Sequence, residues 1–146
     1  MTQYQITTRA EYDLCVRHGI EPLLDARFPM DIALRVEVQR ELFGSGHSAQ
    51  ENERFYRWCW EHLPHICEET MRPLRHYSAV HVSHILTRGA NPEMAHDPRN
   101  VNILTLEAHN QWENGERRAM RIYRSNCARM QMLRNEYQRL SKHTEQ

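Results

Sequence analysis

The chain has 146 residues, with 19 Lys+Arg balancing 19 Asp+Glu. Its mean hydropathy of −0.82 and 26% charged residues, with no apolar run near the roughly 18–20 residues of a spanning helix, argue against a membrane protein. The length suits one domain, 1–146, able to bury its own core.

The first half reads as helical. Thr8-Arg-Ala-Glu11 has the pattern of a capping box ahead of Tyr12, Leu14, Cys15 and Val16, with Gly19 as a stop. Pro22 and Pro29 punctuate a second short segment. Asp31 to Phe43 predicts a helix ended by Gly44-Ser-Gly46. Ser48-Ala-Gln-Glu51 is a second capping box, leading into Phe55, Trp58, Cys59 and Leu63 on one helical face, which Pro64 ends. That face is expected to pack in the core.

The texture then changes. Val80 to Leu86 alternates and is β-branched, which predicts a strand. Thr87 to Arg99 contains Gly89, Asn91-Pro92 and Asp97-Pro98, all loop chemistry. Val101 to Leu104 predicts a second strand and Leu106 to Glu113 a short helix. From Glu116 onward, Met120, Tyr123, Cys127, Met130, Leu133, Tyr137 and Leu140 form one stripe on a long helix. The fold class expected is α+β, mostly α.

Charge is distributed unevenly. Residues 1–69 hold 7 Arg against 12 acids, a balance of −5; residues 70–112 hold 4 Arg against 3 acids, +1; residues 113–146 hold 7 Arg and Lys142 against 4 Glu, +4. The basic C-terminal helix is either a solvated face whose stripe packs inward, or a phosphate-contacting face on a helix that pairs in a homodimer. The four cysteines, Cys15, Cys59, Cys67 and Cys127, include no CxxC pair. In a reducing compartment they read as buried small hydrophobes. The first residues lack the basic and apolar regions of a signal peptide, so a cytoplasmic protein is expected.

The strand–loop–strand–helix unit carries His84 at the end of its first strand, Asn100 before its second and His109 on its helix. Histidine titrates near neutrality, so it can take a proton from water without standing permanently charged. A rigid strand suits a base that must aim at one water, and a facing helix can place an imidazole on a metal ion.

Asn100-Val-Asn-Ile-Leu-Thr-Leu-Glu-Ala-His109 resembles the second half of the HNH (ββα-metal) endonuclease motif. His81-Val-Ser-His-Ile-Leu-Thr-Arg-Gly89 is similar to its first half, especially in the phage nucleases of NinG type. The resemblance covers about 45 residues by the family's spacing. It implies an HNH core over 72–113, framed by a helical support region, 1–71, and a basic helix, 114–146. It implies DNA as partner, a divalent ion (magnesium or manganese) as cofactor, and a phage or mobile-element origin. His84 would be the general base, His109 a metal ligand, and Asn100 the loop residue fixing the geometry between them.

Two departures mark the sequence. Ser83 stands where the family often has an aspartate ligand, and a hydroxyl is a poor ligand at neutral pH; His81, Asp97 or Glu113 could substitute. The places of the family's zinc-binding CxxC pairs hold Cys67-Glu-Glu-Thr70 and Thr105-Leu-Glu-Ala108, so no structural zinc is expected. Arg88 and Arg99 flank the site and, with Arg121 and Arg124 of the basic arm, are the expected DNA contacts. The alternatives are an HNH-fold DNA-binding or phage regulatory protein without turnover, or a small helical regulator with structural histidines.

Overall fold

A computed structural model of the protein describes residues 3–6, 8–23 and 31–144, with side chains omitted for 3–5, 21–23 and 141–144. Pro29 lies outside the described residues, as does the side chain of Lys142. The chain is α+β and mostly α. In order come β1 (Gln3–Gln5), α1 (Arg9–His18), β2 (Glu21–Leu23), α2 (Ile32–Phe43), α3 (Ala49–His62), β3 (Val82–His84), β4 (Val101–Ile103), α4 (Leu106–Asn114) and α5 (Tyr123–Thr144). None of these helices is long and apolar enough to cross a membrane.

The N-terminal helices start where their caps dictate. Thr8 and Asp31 accept the Glu11 and Leu34 amides. Ser48 and Glu51 form a complete capping box at α3. Gly19 closes α1 in the left-handed region at φ 65°, a conformation that favours glycine. The segment containing Pro22 is a strand: β2 pairs in parallel with β1 across α1, a pairing that the proline in it concealed.

The antiparallel pair β3–β4 sits at the junction of three apolar clusters. Its register joins Val82 to Ile103, Ser83 to Asn102 and His84 to Val101. Paired residues share a face of the ribbon. Val82, Val101 and Ile103 therefore pack on Phe43, Phe55 and Cys59 of α2 and α3. Beyond the strand end, Ile85 joins Trp112 of α4, and Leu86 joins Leu133 and Tyr137 of α5. Trp112 is fully buried and donates its indole N–H to the Ile85 carbonyl at 3.2 Å, which fixes α4 to the ribbon.

One expectation for the C-terminal region changes, and one of the two alternatives for its helix is favoured. The long helix begins at Tyr123, because Arg117–Ala119 form a separate short turn. Arg117 lies over the Trp112 ring at 4.3 Å and donates to its carbonyl. The stripe also packs inward, with Leu133 and Tyr137 buried against Ile32, Leu86 and Met94. A homodimer through that stripe would compete with this core.

The turns holding Cys67 and Thr105 meet directly. The Cys67 sulfur accepts the Thr70 and Thr105 amides at 3.4 and 3.3 Å. Burial raises the thiol pKa, but these amide and hydroxyl contacts outweigh it and the net shift is downward. All four cysteines are free thiols, three of them buried.

Candidate active site

β3 ends at His84, and the loop that follows returns to cover it. The His84 Nε2 lies 2.8 Å from the Ala95 carbonyl. A carbonyl only accepts, so Nε2 carries the proton and the neutral ring keeps its lone pair on Nδ1. The ring packs on Phe55, with centroids 6.0 Å apart, and is only 9% exposed. Burial lowers its pKa, with Arg88 and His109 adding to that shift and the Ala95 bond opposing it.

Asn100 sets the loop that supplies this carbonyl. Its side chain accepts the Leu86 amide at 2.8 Å and donates to the Leu86 and Met94 carbonyls at 3.0 and 3.3 Å. It is wholly buried. Asn100 thus clasps both ends of the loop and touches no open space; it is a positioning residue, not a catalytic one.

Across the ribbon, the His109 Nδ1 lies 3.0 Å from the Ser83 hydroxyl. Ser83 is buried on the α4 side, where it orients His109 and leaves the other ring nitrogen free of it. His84, His109 and Glu113 line one open cleft of about 380 Å³, together with Tyr56, Val80, Val82, Thr87, Arg88 and Gly89. His81 is not among its walls. Its Nδ1 donates to the Leu104 carbonyl at 2.9 Å, and its ring lies near Trp60, so it is not gathered with His109.

Of the arginines singled out, Arg88 lines the cleft. Arg99 does not face solvent: it is 6% exposed and bonds Asp97 and Glu136, each at 2.8 Å. A guanidinium used in this way is a structural tie, which removes it from the expected DNA contacts. Arg121 and Arg124 are exposed and lie outside the cleft walls. Arg129 turns inward, donating to the Val101 carbonyl at 3.0 Å.

Sequence reasoning passed over three parts of the site. Ala95 acts through its backbone, which leaves no mark in residue identity. His96 bonds Asn52 at 2.8 Å and ties the loop to α3. Tyr56 neighbours the apolar α3 face, and its one signal was a hydroxyl beside a stripe of core residues.

Among the described residues no group of three His, Cys, Asp or Glu side chains could hold a metal ion. The His109 ring nitrogen not facing Ser83 and the carboxylate of Glu113, one helical turn apart, are two donors at the cleft beside His84. Two such donors fit a magnesium-like ion that keeps several waters and takes oxygens from a substrate phosphate. They do not fit a closed tetrahedral zinc cage. No protein-family model, curated protein or solved structure matches the chain.

Proposed function

We propose that the cleft hydrolyses or nicks DNA phosphodiester bonds in the manner of the HNH nucleases, with His84 as general base. The observation that carries this reading is the His84 ring: its Nε2 proton is committed to Ala95, and it lines an open cleft with His109, Glu113 and Arg88. A buried neutral imidazole with its proton so placed can accept one from water at Nδ1.

His109 and Glu113 would hold the divalent ion, magnesium or manganese. That ion, when bound, neutralises charge on the phosphate and on the leaving oxygen. Ser83 orients His109, while Asn100 and Ala95 hold His84 against rotation. Structural zinc has no part in this reading, since the Cys67–Thr105 hydrogen bonds join the two turns that zinc would otherwise bridge. The test is conversion of supercoiled plasmid to nicked or linear DNA by purified protein with magnesium or manganese. Loss of conversion on adding a chelator is the expected control.

A second reading, an HNH-fold DNA-binding protein without turnover, draws on Ser83 in an expected acidic place. It predicts DNA binding with no plasmid conversion under either metal.

A further inference from the structure

The cleft mouth holds a cation with an unusual anchor. Arg88 follows β3 by four residues, is exposed, and donates from Nη1 to the Tyr56 hydroxyl at 2.8 Å. Among the described residues no carboxylate pairs with it. Two other arginines are spent otherwise: Arg99 on Asp97 and Glu136, Arg57 on Glu53 and the Tyr77 ring. A neutral hydroxyl aims the guanidinium without cancelling its charge, and it occupies one of five N–H donors. The remaining edge is a planar fork suited to two oxygens of one anion.

The space beside it is open. A side chain placed at Gly89 would meet nothing within 4 Å, and Arg88 and Gly89 line the same cleft as His84. Tyr56 is set by its own helix: it follows Phe55, which packs on the His84 ring, and its ring lies edge-on to His84 at 6.0 Å. One turn of α3 therefore supports both the base and the arginine anchor.

We propose that Arg88, aimed by Tyr56, forms a phosphate-binding subsite at the mouth of the His84 cleft. Arg88 touches the phosphate of a nucleic-acid strand, and Tyr56 is its positioning residue. The inference rests on the phosphodiesterase reading for its role, but not for its existence as an anion site.

The experiment titrates intact protein in chelator, without divalent metal, with inorganic phosphate and with a short single DNA strand. Binding is followed by NMR of the arginine Nε–H and histidine ring signals. Phosphate and the strand should both shift the Arg88 signal. R88A should weaken strand binding roughly tenfold or more, the loss expected for a charge-assisted contact. Tyr56→Phe keeps the ring and removes only the hydroxyl. It should weaken binding less and raise KM in plasmid cleavage with kcat nearly kept, at an unchanged melting temperature. Binding to R88A and Tyr56→Phe equal to wild type overturns the subsite, even if plasmid is cleaved. An Arg88-dependent phosphate site in a protein that never cleaves plasmid upholds the subsite and overturns the nuclease reading alone.

Discussion

His96 shows how one side chain can report on the whole loop. Burial is the main cause of its low pKa, about 4 against an ordinary 6.5; His47, His84 and Arg88 lower it further and Glu51 opposes them. Because the folded value lies below the unfolded one, the unfolded chain takes up the proton first. Stability is therefore complete above pH 6.5 and falls as the pH drops from there toward 4, by up to about 1.4 kcal/mol per pH unit for one such group. Urea midpoints measured over that window should fall less steeply in His96→Gln, whose amide can still donate to Asn52. A variant with the wild-type acid slope would show that His96 is not a buried neutral ring. His84 is shifted in the same direction by burial, so a residual slope is expected in the variant.

At the scale of elements, the loop between β3 and β4 is held by ions as much as by Asn100. Asp97 is fully buried and accepts from the Arg99 side chain at 2.8 Å and from the Tyr137 hydroxyl at 2.9 Å. Arg35 of α2 approaches it at 3.8 Å. The two arginines hold the carboxyl below its usual pKa against the opposing effect of burial. Asp97 thus ties the loop to α2 and α5. Asp97→Ala leaves two buried guanidinium groups without this carboxylate and should cost on the order of 3–5 kcal/mol in denaturant unfolding. A loss below about 1 kcal/mol would show that the cluster is solvated. Much of this architecture was legible in the sequence. The caps at Thr8 and Ser48, the Gly44 stop and the two short strands followed from local chemistry that packing reinforces. Arg99 was misread because a guanidinium looks alike in sequence whether it meets phosphate or a buried aspartate forty residues from Tyr137. The parallel β1–β2 pair escaped because three-residue strands carry too little alternation to register.

For the whole molecule, the excess of positive charge in residues 113–146 is divided between struts and surface. Arg117 and Arg129 serve the fold, whereas Arg121 and Arg124 are exposed. If that surface helps hold DNA, changing Arg121 and Arg124 to Gln should flatten the dependence of log affinity on log salt by about two units on duplex. Thermal stability should barely move, since exposed charges contribute little to folding. An unchanged slope would confine phosphate contact to the cleft and Arg88. The central claim, that this fold presents His84 as a base to a phosphodiester, is tested most directly by plasmid conversion with magnesium or manganese. Wild type is compared with His84→Ala and with His84→Gln, whose amide can still donate to the Ala95 carbonyl but has no basic nitrogen. The account predicts metal-dependent cleavage by wild type and a loss of about 10²–10⁴-fold in both variants, with Gln keeping the wild-type circular dichroism. Cleavage by His84→Gln at the wild-type rate, or no cleavage by wild type with either metal, would contradict it.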